Sequence, residues 1–145
     1  MLSLTLTPAS RARWANGVEL VGAALEDPSS PEMICWMTAW RVLETPAPDV
    51  DYHWFNHLLD DEERKVGQMD GVPLAADNWR AGDTVVSWYD IPLAPETEPG
   101  DYTMWVGMYT YPDIHNVPLL DIAGHVVADH VDLGPIPIGD VGRGG

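Results

Sequence analysis

Apolar residues in this chain recur at every second position, and no window of a dozen residues keeps a helical period. That spacing sends alternate side chains to opposite faces of an extended backbone, so it predicts strands. The most apolar stretch, Tyr52 to Leu59, has bulky residues at both parities, and the acidic cluster Asp60 to Glu63 that follows it is polar enough to turn in water. Arg64 to Met69 then returns. A hairpin arm that is apolar on both faces belongs inside a sheet, where neighbours cover both sides.

Other segments fall into place around this hairpin. Leu2 to Thr7 alternates leucine with hydroxyl residues until Pro8, and Gly17 to Leu25 forms the next strand, closed by the turn residues Asp27, Pro28, Ser29, Ser30 and Pro31. Met33 to Leu43 puts Ile34, Trp36, Thr38 and Trp40 on one face and Cys35, Met37, Ala39 and Arg41 on the other. A loop through Pro46 and Pro48 leads into the hairpin, and an irregular connection from Pro73 to Gly82 carries Trp79 as a plug over one end of the core. Asp83 to Leu93 sets Val85, Ser87, Tyr89, Ile91 and Leu93 against Thr84, Val86, Trp88 and Asp90, and Pro92 argues that its end lies at a sheet edge. Asp101 to Tyr111 sets Tyr102, Met104, Val106 and Met108 against Thr103, Trp105, Gly107 and Tyr109. A turn around Pro112 to Asn116 makes a second hairpin with Val117 to Asp121, and His125 to Leu133 closes the fold. The expectation is all-β: a single β-sandwich, immunoglobulin-like or jelly-roll, of about eight antiparallel strands over residues 1–138, with a flexible glycine-rich tail over 139–145.

Composition adds limits. The 13 prolines and 13 glycines are scattered at short intervals, and 145 residues make one domain with a real core. Cys35 is the sole cysteine, so no intramolecular disulfide can form. A formal charge of -16 opposes nucleic acid and anionic membrane surfaces, where Lys and Arg supply the affinity. No apolar run reaches transmembrane length, and the N-terminus lacks the basic and apolar regions of a signal peptide, so direct membrane insertion is not expected.

Several blocks occur in an order that resembles a known module. They are Gly17 to Gly22, Trp40, Phe55 with His57 to Asp60, Trp79 with Gly82 and Asp83, Tyr89 with Ile91 to Leu93, Pro99 to Tyr102, and Val106 to Tyr109. As a set they are similar to the β-sandwich accessory domain found beside bacterial membrane glycosyltransferases of the protein-mannosyltransferase type and in other envelope proteins. That resemblance implies an extracytoplasmic or cell-surface location, an accessory role in holding glycans, and no catalytic residues to carry over. Cys35 and Met37 stand where members carry polar or basic residues, Trp105 where arginine is usual, and Asn56 where a core valine is expected.

Candidate chemistry is sparse. The expected interaction face gathers Cys35, Met37, Phe55, His57, Trp88 and Trp105, with His53 beside them. Such a surface packs against a protein partner or a second copy, because contiguous exposed apolar residues mark interfaces and Met and Cys suit irregular apolar contact. The alternative is a carbohydrate-binding face, with sugar rings stacked on the indoles. His53 and His57 make no two-residue metal clamp, and a zinc site would need ligands from distant strands such as His115, His125 or His130; histidines bonded to backbone are expected instead. Asp60 to Glu63 could offer oxygens to calcium but lacks the alternating ligands and central glycine of a calcium loop. There is no nucleophile elbow and no phosphate loop, and Cys35 sits in an apolar strand where a thiol is inert. The expectation is a non-enzymatic module without cofactor or metal.

Overall fold

The computed structural model describes residues 3–6, 12–30, 32–45, 51–71, 79–111, 113–121 and 123–138, with residues 3–6 and 26–30 described by their backbone alone. The loop through Pro46 and Pro48, most of the connection from Pro73 and the tail lie outside these residues. No helix occurs among them. Eleven strands follow in order: β1 (Ser3–Leu6), β2 (Ala12–Trp14), β3 (Val18–Ser30), β4 (Met33–Val42), β5 (Asp51–Leu59), β6 (Lys65–Gly71), β7 (Thr84–Pro92), β8 (Gly100–Tyr111), β9 (Leu119–Leu120), β10 (Val126–Ala128) and β11 (His130–Ile138). They form two antiparallel sheets packed as a β-sandwich. The larger has the order β10-β9-β2-β3-β4-β7 with β1 also on β3, and the smaller the order β11-β8-β5-β6.

The two-residue period decides which face of each strand is covered. On β4, Ile34, Trp36, Thr38, Trp40 and Val42 are buried; on β7, Val85, Ser87, Tyr89 and Ile91; on β8, Tyr102, Met104, Val106 and Met108. These inward sets meet in one core, in which Trp14, Trp40, Trp54 and Trp79 form a chain with ring centroids 5.0, 4.4 and 5.7 Å apart. Trp79 also stacks on Tyr52 at 5.9 Å and is fully buried.

The central arm β5 lies between β8 and β6, so both its edges are paired. Its turn is built by one side chain: Asp60 Oδ1 accepts from the backbone N–H groups of Glu62 and Arg64 at 2.9 and 2.8 Å, and Oδ2 accepts from Arg64 Nε at 2.9 Å. Glu63 takes the left-handed conformation that completes the turn. Asn56, at a position suited to an apolar residue, is buried and satisfied: Trp36 Nε1 of the opposite sheet donates to its Oδ1 at 3.0 Å, and its Nδ2 donates to the Met69 carbonyl at 3.1 Å.

Four boundaries differ from the periodicity reading. The β3 backbone continues through Asp27 and Pro28 to Ser30, which pairs with Met33, so the turn is shorter than Asp27 to Pro31. β2 is too short to show a period. Val117 to Asp121 does not form a hairpin strand with β8: after one bridge, Tyr109 with Asn116, the chain crosses to the larger sheet and β9 pairs with β2 and β10. The closing segment is divided for the same reason, with Val126–Ala128 in the larger sheet and His130–Ile138 in the smaller, the chain changing sheets at Asp129.

Candidate functional site

The six residues expected on one interaction face occupy two. Cys35 and Met37 of β4 and Trp88 of β7 lie on the outer face of the larger sheet, where Met37 pairs directly with Trp88. Phe55 and His57 of β5 and Trp105 of β8 lie on the outer face of the smaller sheet, where His57 pairs with Trp105. The core separates the two sets. Alternation places a side chain on one side of its own strand but carries no information about which sheet the strand joins.

On the smaller sheet the outward residues surround a hollow of about 390 Å³ whose lining includes Phe55, His57, Asp70, Trp105, Tyr109 and His130. Its floor follows from a glycine. Phe55 and Gly107 are cross-strand partners, and a Cβ on Gly107 would stand 2.4 Å from Phe55 Cζ and 2.7 Å from the Asp129 carbonyl. The phenyl ring therefore lies across the glycine and is only 7% exposed although it points outward. Around it the rings contact each other: Phe55 with His57 at 4.9 Å, Trp105 with His130 stacked at 4.0 Å, and His53 with Tyr111 at 4.4 Å.

Carboxylates hold this array in place. Tyr109 Oη donates to Asp70 Oδ2 at 3.0 Å, and His57 Nε2 lies 3.9 Å from Asp70 Oδ1. His130 sits between Asp129, 2.8 Å from Nδ1, and Asp132, 3.1 Å from Nε2, while Asn116 donates to Asp129 at 2.8 Å. Side-chain carboxylates, not backbone groups, are thus the partners of His57 and His130. Burial, with Lys65 next in effect, holds the His57 imidazole below its ordinary value. Burial, with Asp70 next, pushes the Tyr109 phenol up to about 12. The bond to His130 leads in holding the Asp129 carboxyl low. The hollow offers a phenol that stays protonated at neutral pH, together with histidine rings, amides and carboxyl groups: hydrogen-bonding groups for a polar ligand. No group of three or more His, Cys, Asp or Glu among the described residues is placed to hold a metal ion.

The outer face of the larger sheet is different in kind. Trp88 is 60% exposed and Val86 47%, side by side on β7, with Met33, Cys35 and Met37 on the neighbouring strand. The indole here has no ring partner among the described residues and presents a free apolar surface at the margin of the sheet. Sequence reasoning found its members but joined them to the wrong neighbours. It missed Asp70, Asp129 and His130 as partners of the hollow, though Gly107 within an aromatic strand was a usable signal, since a strand glycine marks a close approach.

Compared with family models, curated proteins and solved structures, this chain finds no match.

Proposed function

We propose that this chain is a non-catalytic interaction module of a bacterial envelope or extracellular assembly, packing against another protein chain through the outer face of the larger sheet. The observation that carries this reading is the exposure of Trp88 beside Val86 and Met37, on a strand that has a sheet neighbour on one side only among the described residues. Leaving such a patch in water is unfavourable by about 25 cal/mol for each Å² of apolar surface, and contiguous patches of this kind mark interfaces. The envelope location comes from the resemblance in the order of turn glycines and aromatics.

A carbohydrate-binding reading draws support from the hollow on the smaller sheet, where Trp105 and Tyr109 stand among Asp70, Gln68 and Asn116. Its rings are already engaged with one another, Trp105 under His130 and Phe55 over Gly107, which leaves no bare aromatic platform for a sugar and makes this the second reading.

The first reading is tested by sedimentation velocity over a concentration series at low and raised salt. Two copies at -16 repel, so contact through an apolar face strengthens as salt screens that charge, the reverse of an ion-paired interface. The expected result is association that rises with salt and is lost in Trp88→Arg with Met37→Thr. A chain that stays monomeric at every salt concentration overturns packing between copies. Tryptophan emission against a polysaccharide panel, with Trp105→Ala as control, tests the second reading.

A further inference from the structure

The edge of β7 carries a second feature, set by its hydrogen-bond parity. At the ends of its ladder with β4, Leu93 N–H donates to the Glu32 carbonyl at 2.7 Å and Val42 N–H donates to the Asp83 carbonyl at 2.8 Å. Between them the register runs from Met33 with Pro92 to Arg41 with Thr84 without a bulge. Antiparallel pairs alternate between bonded and non-bonded, so the odd-numbered residues of β7 exchange their bonds with β4. The N–H and C=O groups of Thr84, Val86, Trp88 and Asp90 therefore point away from the sheet. Pro92 has the same parity, so its missing N–H costs the ladder nothing.

Across from this edge lies β6, the edge of the other sheet. The two touch at one end, where Gly67 bridges Leu93 and Ala94 N–H donates to the Val66 carbonyl at 2.7 Å, and then diverge. Between them opens a cleft of about 580 Å³ lined by Met69, Asp70, Gly71 and the β7 residues from Val86 to Asp90. Edge strands are normally guarded by lysines, bulges or an inward charge. Among the described residues β7 carries the outward charge Asp90 and, at its end, Pro92, but no lysine, bulge or inward charge lies along the cleft.

We propose that this cleft is a strand-addition site that takes an extended, basic peptide segment of a partner protein, paired antiparallel with β7. The inference rests on the reading of the chain as an interaction module and specifies what the partner brings. Backbone bonds to Val86, Trp88 and Asp90 supply affinity, as in other strand-addition complexes. Alternate side chains of the peptide would lie on the outer face of the larger sheet, an apolar β-branched residue over each of Val86 and Trp88 and a basic one over Asp90. Charge selects the occupant: Asp90 lines the cleft on a chain of -16, which at low salt favours a cation-bearing partner over a second copy.

The test uses the full chain and a labelled, capped peptide, Lys-Thr-Val-Thr-Val, read by fluorescence anisotropy and by amide hydrogen exchange. The expected result is saturable binding that weakens as salt rises, with the amides of Val86, Trp88 and Asp90 gaining protection. N-methylation of the two valines, whose N–H groups face β7, lowers affinity by about tenfold or more, since two ladder bonds are lost. Asp90→Asn weakens binding by several fold. If the N-methylated peptide binds as tightly as the parent, or those three amides stay unprotected at saturation, the proposal is overturned; loss of salt-promoted association in Trp88→Arg would still support the interaction reading by itself.

Discussion

At the scale of single residues, two positions show the chain using an unexpected side chain to meet a local demand. Asn56 ties the sheets together by accepting from Trp36 and donating to the Met69 carbonyl, so neither indole nor amide is left unpaired in the core. Asn56→Leu strands the Trp36 N–H and the Met69 carbonyl and should cost about 1–3 kcal/mol in urea unfolding, and in a double-mutant cycle with Trp36→Phe the two changes together should cost less than the sum of each alone. Strictly additive losses would mean that the bond does not carry the cost. At Gly107 the demand is steric. Alanine would meet Phe55 and also the Asp129 carbonyl at 2.7 Å, and a backbone atom cannot move aside as a ring can. Gly107→Ala should therefore lose about 1–3 kcal/mol by overpacking, and adding Phe55→Ala should not rescue it.

Among the elements, the β5–β6 hairpin rests on Asp60, whose carboxylate accepts the Arg64 and Glu62 N–H groups. The Arg64 backbone N–H is the largest cause holding its carboxyl below the ordinary value. A carboxyl lowered by folding stabilises the native state above its unfolded value, near 3.9, and that contribution disappears as pH falls through the folded value. Asp60→Ala should thus lower the melting temperature more at about pH 6 than at about pH 3, because protonation of the native side chain removes its contribution as pH falls. An equal gap at both pH values would show that the turn does not depend on the ionised carboxylate. This hairpin, the faces of β4, β7 and β8, and the edge position of Pro92 were legible in the sequence, because long alternating runs fix their own faces. The remainder was not, for physical reasons. β2, β9 and β10 span three residues or fewer, less than two periods, and Asp129 carries the chain between sheets with no turn residue to mark the crossing. The candidate face was misassembled by the same limit, since Met37 with Trp88 and His57 with Trp105 are true neighbours in pairs, and only strand order reveals that the pairs lie on opposite sides.

For the whole molecule, charge and burial act together at alkaline pH. Four of the five tyrosines titrate above their ordinary value of 10.0: Tyr52, Tyr89 and Tyr102 through burial first, and Tyr109 through burial and then Asp70, to about 12. A group whose folded value is raised contributes stability that is complete below the unfolded value and is lost as pH climbs through the folded one. The window of loss therefore opens near pH 10 and runs to about 12, and each phenolate formed in it adds to a chain already at -16. Two consequences can be measured by tyrosinate absorbance and circular dichroism. The phenols of the folded chain should titrate later than those of the chain in denaturant, with unfolding inside that interval. Added salt should move the unfolding midpoint to higher pH by screening the accumulated negative charge. Tyr109→Phe should remove one late-titrating phenol and make the alkaline decline shallower, even though it forfeits the bond to Asp70 and is less stable at neutral pH. A folded chain whose phenols ionise together at their ordinary value would contradict the assignment of these tyrosines to the sandwich and its outer hollow.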